Sequence, residues 1–432
     1  MIINMLNNKD LNKKFFHYAC TKCGTCSLVY PENFEIKNNL VKLIKNLSLA
    51  KLKTFNNFCP GTGFSYINKN SKNFSNLIGP YFKSYVGYSN DNLLRKNSAS
   101  GGIITEILLY LIKSKKVDYV LMPIQDKNYN KLPEYKITKN FDEIKNNSQS
   151  IYTKIPIKNL INPQFKKIVF VGLPDQISSI KQLIKSKIIK TNIQFFIGPM
   201  VGINMDSNSI DGIKLSYNIN KDAKISKLKW REGKWPGYLG IKFIGYKKIK
   251  LKKFYYNFLL PFFCSHESLL STDFSNEDAD ISVGDAWSPK YENSNSGGIS
   301  LIWSKNSKGD KILNVMKIKK IINTSVITYN EAIQMHSHML DFKKRGSQYR
   351  KNLYKLFNLP TPNHIIKKVN FRFSRYVIET IILSVIMILK SKLGKILLLY
   401  FSPNLLGLIF EKLRYFWKKI TKNIKRENLD SF

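Results

Sequence analysis

Cys20-Thr21-Lys22-Cys23-Gly24-Thr25-Cys26 packs three of the chain's five cysteines into seven residues, and this spacing limits the N-terminal fold more than any other feature. Zinc sites usually take their ligands as two separated pairs. Three thiolates at successive two-residue gaps instead wrap a loop around an iron–sulfur cube, each reaching a different iron. Gly24 permits the tight backbone path that such a loop requires. A [4Fe–4S] cluster needs a fourth thiolate. Tyr30-Pro31 stands where a following Cys-Pro would supply it, which leaves Cys59 of "FCPGTG". A loop of that length closes at modest entropic cost. Cys20, Cys23, Cys26 and Cys59 therefore form the expected metal set, with zinc or an empty relic site as the alternatives.

The 432 residues allow two or three domains, and a hydrophobic share of 43% builds ordinary cores. Five cysteines in a chain this long form no disulfide framework, and the first residues carry no secretory signal. The expected location is the cytoplasm. Seventy Lys and Arg against 29 Asp and Glu give a formal +41, with the lysines scattered through a chain rich in Asn and Ile. That scatter reads as compositional bias. No helix-turn-helix, zinc-finger or RNA-recognition signature marks nucleic acid as a partner.

From about Tyr85, strand and helix signals alternate. "KSYVGYS", "DYVLMPIQ", "KKIVFVGLP" and "NIQFFIGPMVG" read as strands; "IITEILLYLIKSKKV" and "DQISSIKQLIKSK" read as helices. This rhythm argues for α/β architecture with crossover helices. Between Ser226 and Trp303 the pattern becomes strand-rich, and "KLKWREGKWPGYLGIKFIGYKKIKLKKFYY" reads as antiparallel ribbons.

Several stretches together resemble the iron–sulfur flavoproteins of the coenzyme F420 hydrogenase/dehydrogenase beta-subunit family, which includes certain chlorophyll-pathway reductases. They are "CTKCGTCSLVYP…FCPG", "YVGYSNDNLLRKNSASGGIITEILLYLIKSKKVDYVL", "SIYTKIP", "IVFVGLPDQISSIKQL", "WREGKWPG" and "ADISVGDAW". The resemblance covers roughly residues 18 to 345. It implies a ferredoxin-like iron–sulfur segment at 1–78, a flavin-binding N-terminal domain at 79–165 and a C-terminal domain at 166–345. A basic amphipathic helical tail at 346–432 lies beyond the family motifs. Family members with a second cluster draw its thiolates from positions occupied here by Asp175, Val201, Ser268 and Ser271, so one cluster is expected. Cys264, lying near the last pair, is expected to be a buried small hydrophobe.

Ser98-Ala99-Ser100-Gly101-Gly102 precedes an amphipathic helix, where backbone N–H groups and the helix dipole favour a phosphate. Such a loop is also a common cap and turn. The resemblance implies FAD there, with Ser98, Ser100, Gly101, Gly102 and Thr105 in contact and Arg95 as a phosphate partner or a solvated charge. Gly172 and Pro174 end an apolar strand where open α/β sheets bind ligands, or make a plain strand-to-helix turn. Asp280 and Asp285 could act as general acid/base, contact flavin or cap a turn. His336 and His338 could donate protons or lie unremarkably on the surface.

In the tail, the longest uncharged run, Thr380 to Leu389, is too short to span a bilayer. Its apolar, aromatic and basic residues suit an anionic membrane surface or a docking partner. Two functions are expected from different classes. The first is an oxidoreductase passing electrons between one [4Fe–4S] cluster, FAD and F420 or an organic substrate, with a donor such as ferredoxin. The second is a membrane-associated accessory protein, for example in surface-polysaccharide assembly, with redox turnover lost.

Overall fold

The computed structural model describes residues 6–66, 73–126, 132–158, 164–252, 259–292, 297–364, 367–429 and 432. An eight-stranded mixed sheet organises the chain. Its order across the sheet is Ile322–Ile327, Lys83–Ser89, Ser300–Ser304, Ile281–Asp285, Ile193–Pro199, Ile168–Val171, Tyr119–Ile124 and Glu134–Thr138. The four strands from Ile281–Asp285 to Tyr119–Ile124 run parallel, and the flanking pairings are antiparallel. The expected α/β class is therefore present as a large mixed sheet.

Side chains alternate with the pleat. Val120, Met122, Ile124, Val169 and Val171 pack with the helices Ile103–Lys113 and Ser307–Ile318. Leu121, Ile168 and Phe170 face the opposite way, onto Ile177 and Ile180 of the helix Pro174–Lys185. Both faces are covered, which explains why these strands read as near-continuous apolar runs.

A separate three-stranded antiparallel sheet, Ile225–Glu232, Tyr238–Phe243 and Ile249–Lys252, accounts for most of the expected ribbon. The ribbon's last stretch, at 253–256, lies outside the described residues. The N-terminal segment contains the short helices Lys13–Tyr18 and Thr25–Val29, the hairpin Phe34–Lys37/Leu40–Leu43 and the helix Leu49–Phe58. They close on a core that includes Phe15, Phe34, Phe55 and Phe58 and is shared with Leu183 of the helix Pro174–Lys185.

The tail forms three helices, Phe373–Lys390, Lys392–Tyr400 and Pro403–Arg426. Ser391 and Ser402 cap the second and third, accepting from the N–H groups of Gly394 and Leu405, and Pro403 sits at the first helical position of the last. No single described helix is long and apolar enough to cross a membrane; the second and third together are apolar enough but are bent by 118°. Leu389, Leu398 and Leu406 pack into the core of the small sheet beside Trp230, Leu239 and Ile241.

Buried charge fastens the first tail helix. Arg350 has no exposed surface and ion-pairs with Glu379, which also meets Arg375 at 2.8 Å. Arg375 reaches Asp341 at 2.7 Å, and Arg350 also donates to the carbonyls of Leu269 and Phe342. Burial opposes ionisation of Glu379, yet Arg350 and Arg375 outweigh it and hold the carboxyl below its ordinary value. Replacing Glu379 by Ala would leave two buried guanidinium groups short of a partner. Glu379→Ala is expected to lower stability by about 3–5 kcal/mol, read as the shift in a urea unfolding curve.

Candidate functional site

Cys20, Cys23, Cys26 and Cys59 are all free thiols, and each is 8% exposed. Positive φ at Lys22 (55°) and Gly24 (87°) turns the loop tightly. Gly24 lies against the next segment so closely that a Cβ would stand 2.3 Å from the Ile157 carbonyl oxygen. Hydrogen-bond donors surround the sulfurs. The Lys22 N–H donates to Cys20 Sγ at 3.4 Å, the Ser27 N–H faces Cys26, and the Gly61 and Thr62 N–H groups face Cys59. The Thr25 hydroxyl lies 3.1 Å from Cys23 Sγ and is itself oriented by Ser179.

As thiols, Cys20, Cys26 and Cys59 resist ionisation. Burial pushes Cys20 up to about 12, against the Lys22 N–H, with Cys23 adding to the rise. Cys26 and Cys59 are raised by burial first and then by the neighbouring Cys23 and Cys20. Four buried, neighbouring sulfurs ringed by N–H donors fit a bound cationic centre that would make thiolates of all four. Among the described residues no group of three or more His, Cys, Asp and Glu is arranged to grip a single ion. The all-sulfur set fits an iron–sulfur cluster, which takes one thiolate at each of its separate irons.

A short extended segment separates this thiol loop from a cavity of about 750 Å³. Ile157 N–H donates to the Cys23 carbonyl at 2.9 Å, and the Lys154 ammonium donates to the Thr21 carbonyl at 2.9 Å. Thr153 and Ile155, from the same segment, line the cavity.

One end of the cavity is the glycine loop. Ser98, Ser100, Gly102 and Thr105 line it. The helix Ile103–Lys113 starts there without a side-chain cap, because Gly102 (φ 78°) stands at its N-cap position. Its first turn thus presents N–H groups toward the cavity. The loop is pinned from behind: the Ser98 and Ser100 hydroxyls donate to the carbonyls of Leu94 and Ile299. Gly101 does not line the cavity. Its N–H donates to Ser300 Oγ, and a Cβ there would stand 2.6 Å from the Gly87 carbonyl.

The remaining expected residues divide. Asp285 lines the cavity and takes Arg231 in two contacts, 3.1 and 3.4 Å, with Trp235 Nε1 at 3.4 Å. Asp280 does not line it. Its carboxylate accepts from Phe196 N–H at 2.9 Å and Asn306 Nδ2 at 2.8 Å, fastening two elements together. Arg95 is buried elsewhere, donating to the Gly298 carbonyl at 2.9 Å and stacked 3.7 Å over the Tyr88 ring. Gly172 offers its carbonyl to Asn276 and Pro174 opens the following helix; Val171 and Leu173 line the cavity instead. His336 and His338 both line it, and His336 Nε2 lies 2.7 Å from the Asp285 carbonyl oxygen. Sequence reasoning did not single out Arg231, although "WREGKWPG" contains it, or Arg414, Lys418 and Arg426 of the tail.

Where a second cluster's ligands would stand, charged and hydroxyl groups interlock. Lys154 Nζ is 3.1 Å from both Asp175 and Glu267. Lys343, 2% exposed, donates to the Ser268 carbonyl at 2.9 Å, and Ser268 Oγ accepts from Asn204 N–H at 3.2 Å. Val201 lines the cavity, and Ser271 N–H donates to the Glu267 carbonyl. Cys264 is buried beside Leu269, Leu270 and Tyr354.

The known proteins that resemble this chain can be set against that geometry. Residues 84–162 match the family model for the N-terminal part of the coenzyme F420 hydrogenase/dehydrogenase beta subunit, and residues 165–329 match the model for its C-terminal part. Together they span more than half of the chain, which belongs to the coenzyme F420 hydrogenase/dehydrogenase beta-subunit family. The chain is 23% identical over 353 residues to the coenzyme F420-dependent sulfite reductase of Methanocaldococcus jannaschii, over 77% of this chain and 51% of that protein. It therefore spans about half the length of the curated relative it matches. A chain from the F420-reducing [NiFe] hydrogenase complex of Methanosarcina barkeri shares the fold, with a TM-score of 0.52 at 16% identity over 67% of this chain and 99% of that one.

Two outcomes follow from the site's geometry. Gly24→Ala forces a side chain into left-handed backbone and against Ile157, and is expected to lose at least about 1–2 kcal/mol. Iron per chain should fall with it, both read on one purified sample. Burial, reinforced by Lys154, pushes the Lys343 ammonium down to about 7. Between pH 7 and the ordinary lysine range the unfolded chain then holds the extra proton, so stability rises with pH across that window. Lys343→Met should flatten this slope in unfolding curves taken at pH 7 and pH 9.

Proposed function

We propose that the protein is an iron–sulfur flavoprotein oxidoreductase in which Cys20, Cys23, Cys26 and Cys59 hold one [4Fe–4S] cluster and the adjoining cavity holds FAD and the substrate. When bound, the cluster carries single electrons and the flavin pairs them for hydride-type chemistry. The observation that carries this reading is adjacency. The segment that bonds the thiol loop through Ile157 and Lys154 also walls the cavity through Thr153 and Ile155.

The uncapped start of the helix Ile103–Lys113 suits a cofactor phosphate. Asp285, held by Arg231 and next to the paired rings of Trp235 and Trp287, faces the same space and is the cavity carboxylate best placed to orient substrate or handle a proton. Asp280, Arg95, Gly101, Gly172 and Pro174 serve as supports around that space. The names of the two relatives, a sulfite reductase and a hydrogenase that both use F420, favour F420 or a substrate reduced at its expense. A soluble donor such as ferredoxin and a cytoplasmic setting complete the reading. Exposed Leu405, Ile409, Leu413 and Phe416 on the last tail helix support attachment at an anionic membrane surface.

Anaerobic purification with iron, sulfide and released flavin assayed on one sample tests it. The expected result is about four irons and one FAD per chain. Cys23→Ser is expected to abolish the iron while leaving flavin bound. Flavin without iron in the wild type would overturn the cluster, and the absence of both would overturn the redox reading.

A further inference from the structure

The cavity's second end is built by the tail. Arg414, Lys418 and Arg426 of the helix Pro403–Arg426 line it, although the family match ends at residue 329. Arg414 and Lys418 are one turn apart, on one face of the helix. They face the helix Tyr329–Asp341, which contributes His336 and His338 to the same wall.

These charges are set against one another. His338 is held well below its ordinary value by burial and then by Lys418, His336, Arg426 and Arg414. Lys418 keeps an exposed surface, yet partial desolvation, followed by Arg414, Arg426 and Lys425, pushes it down to about 8. Glu411 offsets part of the charge of Arg414 but does not line the cavity. Among the described lining residues Asp285 is the one carboxylate, and Arg231 faces it. Like charges gathered at one end of a partly enclosed space repel one another until an anion enters. The apolar anchors of the tail, Leu389, Leu398 and Leu406, together with the pairing of Arg350 and Glu379, hold the helix in place despite that repulsion.

We infer that the tail-side end of the cavity is a subsite for a phosphate-type anionic group of the substrate, gripped by Arg414, Lys418 and Arg426. The inference rests on the reading of the cavity as the active site and assigns the class of molecule it accepts. The group could belong to a soluble phosphate ester or to a lipid headgroup, since the helix carries exposed apolar residues alongside its cations.

The test uses the full-length protein, purified with its cofactors in chloride buffer of low ionic strength. Inorganic pyrophosphate is titrated by calorimetry into the wild type, the double variant Lys418→Gln/Arg426→Gln and a control, Lys412→Gln/Lys422→Gln. The control removes the same charge from the same helix at positions that are exposed, as Lys418 also is, but do not line the cavity. Expected are binding by the wild type and by the control, and at least a tenfold weaker affinity in the cavity variant with iron and flavin contents unchanged. Equal weakening in both variants would reduce the effect to diffuse charge and overturn the subsite, as would no binding by the wild type. Loss of flavin from the cavity variant alone would give these residues to the cofactor and overturn the substrate assignment. A parallel arm with phosphatidic acid vesicles, against phosphatidylcholine vesicles, separates the sources. Binding lost in the cavity variant but not the control marks a lipid headgroup, and pyrophosphate binding without it marks a soluble ester. Iron and flavin assays on the same samples report separately on the redox reading, so anion binding without either cofactor would sink that reading alone.

Discussion

A guanidinium with no water contact stays charged only where carboxylate and carbonyl oxygens replace its hydration, and Arg350 meets that condition through Glu379, Leu269 and Phe342. Its position joins three parts of the chain. Glu379 belongs to the first tail helix, Leu269 to the short helix His266–Leu270, and Phe342 to the turn leading out of the histidine-bearing helix. Because a buried pair of this kind tolerates little change in geometry, it fixes the tail's angle of approach. The last helix packs against that first tail helix and the helix Tyr329–Asp341, and its Arg414, Lys418 and Arg426 line one end of the cavity.

The opposite wall depends on a different economy of space. Residues 152–157 serve two neighbours at once: Tyr152, Thr153 and Ile155 line the cavity, while the Lys154 ammonium and the Ile157 N–H bond the thiol loop. Gly24 sits directly against that segment, which brings loop and wall as close as backbone allows. Electrons crossing from one side to the other would traverse a single layer of chain. Asp175 and Ser268 are engaged by Lys154, Lys343 and Asn204 in a network of charge and hydrogen bonds.

The strands and helices of the main sheet were legible because their signals are local: apolar runs, turns and caps within a dozen residues. The three close cysteines are legible for the same reason, and Cys59 because so few thiols remain to choose from. Residue roles around the cavity were harder to read. Asp280 immediately precedes the strand Ile281–Asp285 and Asp285 ends it, yet one fastens Asn306 and Phe196 while the other faces the cavity. Aspartate suits either task, and only the sheet register separates them. Arg95 and Arg231 divide in the same way, since the glycine carbonyls that occupy Arg95 lie some 200 positions away in the chain. Arg414, Lys418 and Arg426 were concealed by composition: among 70 basic residues, nothing nearby marks these three as facing inward.

The pairing of Arg350 with Glu379 also separates two boundaries that are easily confused. The match to the family models ends at residue 329, but the packed core does not, because body residues such as Trp230 and Leu239 share a core with Leu389 and Leu406. A shortened chain cut where the family-model match stops would keep every thiol and the glycine loop, while uncovering an apolar core and leaving one cavity wall unbuilt.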